Sequence, residues 1–178
     1  MRNLSLAVAI SAIGCMLTGG AAAADDRDIC QMQTGDAAIA ACSRAIRSGK
    51  LKGKTLALAY AHRGAEWKGK NEIGKALADY GTALKLNPAL AAVYNNRGVI
   101  ASERGEFDRA LANYATAIRL DPLYTAAFTN RGLAYEEKKE AVKARADFDA
   151  ALAMPAKHND GEWAHKTARD RLEALKGK

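Results

Sequence analysis

The chain has 178 residues, with 27 Lys or Arg against 20 Asp or Glu and a formal net charge of +7. The basic surplus is dispersed among acidic residues, as in Glu136-Glu137-Lys138-Lys139-Glu140, and no aromatic-basic stacking surface recurs, which argues against a nucleic-acid partner. The surplus reads as a solvated face, with attraction to anionic lipid or acidic wall polymers as a minor use.

Residues 1–24 read as a targeting segment. Met1-Arg2-Asn3 supplies one positive charge, Leu4 to Thr18 is mostly apolar, and Ala22-Ala23-Ala24 ahead of Asp25-Asp26 fits a small-residue cleavage site. Cleavage after Ala24 is expected, and it delivers a periplasmic or secreted protein; the bare A-x-A form points to a bacterial periplasm. Two alternatives stand beside this. Ala12-Ile13-Gly14-Cys15 resembles a lipoprotein cleavage box, with alanine where leucine is usual. Residues 3–24 also form an uncharged stretch long enough to span a membrane, although the glycines and alanines after Thr18 make a weak span. Membrane contact is therefore expected only if Cys15 is lipidated or the segment stays uncleaved.

Residues 25–56 are read as an N-terminal helical cap. Cleavage removes Cys15 and leaves Cys30 and Cys42, an even number in an oxidising compartment, so these two are expected to pair. A bridge closing this short hairpin contributes roughly 3 kcal/mol on the chain-entropy account. There is no C-x-x-C and no third ligand nearby in sequence, so a structural role outweighs a catalytic or metal one.

From Ala57 one pattern is written three times at a spacing of 34 residues. Tyr60, Tyr94 and Phe128 fall in register, as do Arg63, Arg97 and Arg131, Gly64, Gly98 and Gly132, and Ala76, Ala110 and Ala144. Tyr80, Tyr114 and Phe148 follow, then Ala83, Ala117 and Ala151, then Pro88 and Pro122. A repeat of this length is one supersecondary unit that cannot bury its own apolar face, so copies stack around a shared core. Mid-helix glycine costs about 1 kcal/mol relative to alanine, so a steric reason is needed: two backbones are expected to pass closely at Gly64, Gly98 and Gly132. Ala76, Ala110 and Ala144 then supply the matching small surface, while Tyr80, Tyr114 and Phe148 fill the wider space between pairs. Asn87-Pro88 and Asp121-Pro122 stop the second helices. In the middle copy Phe107, Ala110, Leu111, Tyr114, Ala117, Ile118 and Leu120 form a broad apolar stripe, leaving Glu106, Asp108, Arg109 and Arg119 to water.

This pattern of aromatic, glycine, aromatic, alanine, aromatic and closing proline resembles the tetratricopeptide repeat. The resemblance covers residues 57 to about 156 and delimits repeats at 57–90, 91–124 and 125–158. Pro155 stands one residue before its expected place at Ala156, so a distorted exit from the third copy is expected. The resemblance implies an all-α, right-handed superhelical solenoid of antiparallel helix pairs. It comprises three repeats, an N-terminal disulfide-linked half repeat and a C-terminal capping helix. The half repeat is Gly35 to Ser48, where Ala45-Ile46-Arg47 echoes Ala117-Ile118-Arg119 and Cys42 takes the place of Tyr80 and Tyr114. The cap spans 159–178: Asp160 or Asn159 starts a helix running to about Leu175, with Ala164, Ala168, Leu172 and Leu175 on one stripe. Trp163 beside them is expected to pack on the third repeat.

Members of this family line a concave groove with their first helices and take a peptide segment there. The resemblance implies a lining of Leu58, Ala61, His62, Ala65, Ala92, Asn95, Asn96, Val99, Ala126, Thr129, Asn130 and Leu133. Asparagine amides both donate to and accept from a peptide backbone, and Val99 and Leu133 take apolar side chains. The row His62, Asn96 and Asn130 is either such a lining or an interhelix hydrogen-bond ladder. Members that grip a chain-terminal carboxylate use basic residues here; Ala126 and Asn130 occupy that stretch of the last repeat, so the clamp is not expected. Arg63, Arg97 and Arg131, each beside a glycine, are expected to pair with acidic groups between helices.

An enzyme is not expected. His62, His158 and His165 lack metal-ligating partners at useful spacing, and G-x-S-x-G, H-E-x-x-H and glycine-rich phosphate loops are absent from the sequence. No catalytic residue, metal or cofactor is anticipated. The leading function is a periplasmic protein-protein interaction module, an adaptor or chaperone-like scaffold holding a peptide segment of an envelope protein. The other is a structural or assembly role through self-association or a lipid anchor, without a groove ligand.

Overall fold

The computed structural model describes residues 26–156 and 160–176. The expected leader, its cleavage site at Ala24 and Cys15 lie outside the described residues, as do His158 and Asn159. Helices α1 (Asp26–Met32) and α2 (Gly35–Arg47) precede three pairs: α3 (Gly53–Gly69) with α4 (Ile73–Leu86), α5 (Ala91–Glu103) with α6 (Phe107–Leu120), and α7 (Thr125–Glu137) with α8 (Ala141–Ala153). Helix α9 (Gly161–Leu175) closes the array on α7 and α8. Among the described residues there is no strand, and no helix is long and apolar enough to cross a membrane. The architecture is an all-α solenoid of antiparallel helix pairs.

Each pair turns on the same device. Asn71, Gly105 and Lys139, at one register of the repeat, adopt φ of 60°, 73° and 61°. The following amide reaches back over the turn, with Glu72 N–H donating to Trp67 O, Glu106 to Ala101 O and Glu140 to Tyr135 O, each at 2.9 Å. These bonds satisfy carbonyls that a helix end otherwise leaves open. Between pairs, the carboxamide of Asn87 accepts from Ala89 N–H and the carboxylate of Asp121 from Leu123 N–H, both at 3.1 Å. These side chains complete the stops set by Pro88 and Pro122.

The nearest neighbours of Gly64, Gly98 and Gly132 are rings rather than the small surface expected, although at Gly64 an added Cβ also comes 3.3 Å from Ala76 O. A Cβ added at Gly64 comes 2.8 Å from the Tyr80 ring, one at Gly98 comes 2.5 Å from the Tyr114 ring, and one at Gly132 comes 2.5 Å from the Phe148 ring. The aromatics therefore lie on the glycines inside each pair, rather than in the space between pairs. The glycine makes room for a ring, and Ala76, Ala110 and Ala144 are buried alongside. All three rings are almost wholly excluded from water.

Cys30 and Cys42 form the disulfide that joins α1 to α2, and both are buried with Ala41 and Ala59. At the other end α8 stops at Ala153, one residue short of the register of α6, and the Thr125 hydroxyl donates to Pro155 O at 3.2 Å. Helix α9 buries Ala164, Ala168 and Leu175. It is tied to α7 by the bidentate pair of Arg171 with Glu136 at 2.7 and 2.8 Å, and Arg145 of α8 donates to Leu175 O at 2.8 Å. Asp160 stands at the N-cap position without a side-chain capping bond. Trp163, expected to pack on the third repeat, is 48% exposed, because α9 turns Ala164 and Ala168 inward.

Candidate functional site

Six of the twelve residues expected to line a groove come together. Leu58, Ala61, His62 and Ala65 of α3 face Ala92 and Asn96 of α5 across a depression of about 280 Å³, completed by Ala89, Leu90, Ala91 and Val93. Half of its lining is alanine, so a ligand backbone can approach the helices closely. Burial pushes the His62 imidazole below its ordinary range, against the opposing charge of Glu66. A neutral imidazole at pH 7 carries one donor and one acceptor, and the Asn96 amide carries both kinds as well. Two polar groups in the lining of a largely apolar trough match the needs of an extended peptide: backbone bonds on one side, side-chain burial on the other. Glu66 itself is held by Gly35, whose N–H donates to its carboxylate at 2.6 Å, so the start of α2 steadies the helix bearing His62.

The other six residues lie elsewhere. Asn95, Ala126 and Thr129 are buried and line no open surface. The Asn130 amide donates to Asn95 Oδ1 at 3.0 Å, Asn95 Nδ2 donates to Tyr124 Oη at 3.4 Å, and Tyr124 Oη to Asp160 Oδ2 at 3.5 Å. For Asn130 the interhelix ladder is therefore the reading that the geometry supports, while Asn96 faces the depression. Thr129 donates to Ala164 O at 3.3 Å, and Ala126 packs with Ala164. Val99 and Leu133 are half-buried against the Tyr114 and Phe148 clusters. For Ala126 and Thr129 the physical reason is α9: it docks on α7, whose inner face ceases to be free there. Nothing in the 34-residue register announces this, since the cap belongs to no repeat.

The arginine row also divides. Arg63 is bidentate on Asp79, both bonds at 2.8 Å, and Arg131 is bidentate on Asp147, both at 2.7 Å. The carboxylate beside each guanidinium raises its pKa further. Arg97 has no acidic partner among the described residues, contrary to expectation, because Asn113 stands at the register of Asp79 and Asp147. Among the described residues no group of three or more His, Cys, Asp or Glu is placed to hold a metal ion.

Residues 102–139, from the end of α5 to the turn after α7, match the family model described as TPR repeat. The fold is a TPR-like solenoid. The first TPR of Spaghetti (RPAP3), solved bound to the HSP90 peptide SRMEEVD, superposes with a TM-score of 0.61 at 18% identity, over 71% of this chain and 94% of that one. The yeast Sti1 TPR2B domain, in a structure described as a pHsp70 complex, gives 0.58 at 28% identity over 67% and 94%. The Arabidopsis OM64 TPR domain gives 0.56 at 27% identity over 67% and 98%. No curated protein matches the sequence. TPR domains are protein-protein interaction modules.

Proposed function

We propose that this chain is an exported interaction module, an adaptor or chaperone-like scaffold of the bacterial envelope. On this reading it holds an extended peptide segment of another protein in the depression between α3 and α5. The observation that carries the proposal is that depression: largely apolar, of about 280 Å³, with His62 and Asn96 in its lining. The complexes of RPAP3 with an HSP90 peptide and of Sti1 with pHsp70 support peptide holding as a use of the fold. Export is supported by the leader-like residues 1–24 and by the Cys30–Cys42 disulfide, a bond that persists in oxidising compartments.

The test is selection of peptides from a random display library by the native chain and by two variants, Ala92→Arg and Asn96→Ala. Ala92 is exposed, so an arginine there fills the trough without entering the core. Peptides enriched by the native chain should lose at least tenfold in affinity on Ala92→Arg, with thermal unfolding unchanged. If binding survives Ala92→Arg intact, the depression is not the working surface. Mass spectrometry of the chain from the producing cell tests export: a mass beginning at Asp25 and lower by two hydrogens than the reduced form is expected, and a lipid on Cys15 overturns the soluble periplasmic location.

A further inference from the structure

Arg97 is the one member of its row whose charge the protein leaves unanswered among the described residues. In the flanking repeats the guanidinium is gripped by Asp79 or Asp147 and lies over the ring of Tyr60 or Phe128, 5.4 and 5.5 Å from the centroid. At Arg97 the carboxylate is replaced by Asn113, whose Nδ2 donates along its own helix to the carbonyl of Arg109 at 2.7 Å. No hydrogen bond, ion pair or ring contact of Arg97 is found among the described residues.

A cavity of about 30 Å³ opens beside this guanidinium, where α4, α5 and α6 meet. Arg97, Arg104, Arg109, Glu106 and Asn113 line it, with Leu77 on the apolar side. Its single carboxylate, Glu106, is already ion-paired to Arg109, so Arg97 and Arg104 stay uncompensated. A water needs about 10–15 Å³ of such space, so the cavity admits two oxygen-sized atoms. Two oxygens on one centre are what a guanidinium fork binds bidentately, as Asp79 and Asp147 do in the other repeats.

We propose that this cavity is a small-oxyanion site, in which two oxygens of a carboxylate or of a phosphate take the place that the aspartate carboxylate fills in the neighbouring repeats. Arg97 supplies the fork, Arg104 the second charge, and Asn113 lies on the wall. The site shares no lining residue with the depression at His62 and Asn96, so it stands or falls independently of peptide binding there. A carboxylate source corresponds to an acidic side chain or chain end of a bound molecule; a phosphate source corresponds to the free ion.

The experiment uses the full-length chain with its disulfide intact and compares sodium phosphate, sodium acetate and sodium chloride at matched ionic strength. Phosphate or acetate should raise the unfolding temperature about 2–4 °C above chloride, the effective anion identifying the source. Asn113→Asp should raise the temperature in chloride and abolish the increment, because the counter-ion is then built in. Arg97→Gln should abolish the increment without that gain. The Nε–Hε signal of Arg97, assigned by its loss in Arg97→Gln, should move on titration with the effective anion. No increment over chloride, an increment that survives both variants, or a stationary Arg97 signal overturns the proposal.

Discussion

Replacing Gly98 by alanine sets two effects of opposite sign against each other. Alanine in a helix interior is favoured over glycine by about 1 kcal/mol. The added methyl, however, arrives 2.5 Å from Tyr114 Cε1 and 2.7 Å from Cδ1, about 1 Å inside the 3.5–4.0 Å optimum for two carbons. Tyr114 is only 2% exposed, so the ring has no solvent to swing into, and α5 and α6 must separate instead. Overpacking of this kind costs typically 1–3 kcal/mol, occasionally more, and the tightness of the contact places Gly98 at the upper end. The net loss is then about 1–2 kcal/mol, or a fall of roughly 3–6 °C in unfolding temperature for a chain of this size. Gly81→Ala is the control: it lies within α4, and its added Cβ meets no atom within 4 Å. Only the propensity gain remains there, and the unfolding temperature should rise by roughly 2–4 °C. Thermal unfolding by circular dichroism reads both. A Gly98→Ala protein as stable as the native chain would refute the ring-on-glycine account of all three pairs.

Three further outcomes follow from the same geometry. Cys42→Ala, or reduction of the Cys30–Cys42 bridge, should cost roughly 3 kcal/mol in a denaturant titration; an unchanged midpoint on adding reductant would show that the half repeat does not depend on the bridge. Because burial holds the His62 pKa below its ordinary value of about 6.5, its stabilising effect is complete above that pH and lost as pH falls from there through the lowered folded value. The stability gap between the native chain and His62→Gln should therefore shift against the native chain below pH 6.5, and a gap independent of pH refutes it. Lys139 holds φ of 61° where the preceding repeat has Gly105, so Lys139→Gly should stabilise by about 0.5–1 kcal/mol, measured by the same titration.

The helix pairs were legible because the positions that build them recur: a glycine, its ring and a closing proline cannot move without losing the stack, so one register carries the fold. The partner of each glycine was not legible, since spacing alone does not say whether a methyl or a ring approaches it. The burial of Ala126 and Thr129 was hidden for another reason, namely that α9 lies outside the repeat. The gap beside Arg97 did have a sequence signal, the series Asp79, Asn113, Asp147. That signal lies in the row of partners and not in the row of arginines.

The capping helix also sets the scale of recognition. By occupying the inner face of α7 through Ala164 and the Arg171–Glu136 pair, α9 confines the open trough to the junction of α3 and α5. At about 280 Å³ the trough falls just below the usual range for small-ligand pockets, roughly 300–1,000 Å³, and so has room for one or two anchoring side chains rather than a long motif. On the proposed function, few anchors and backbone bonds to His62 and Asn96 favour breadth of partners over affinity. On that proposal tight binding requires contacts beyond the trough, and the proposed anion site at the junction of α4, α5 and α6 would supply a second point of attachment for a partner that carries a carboxylate.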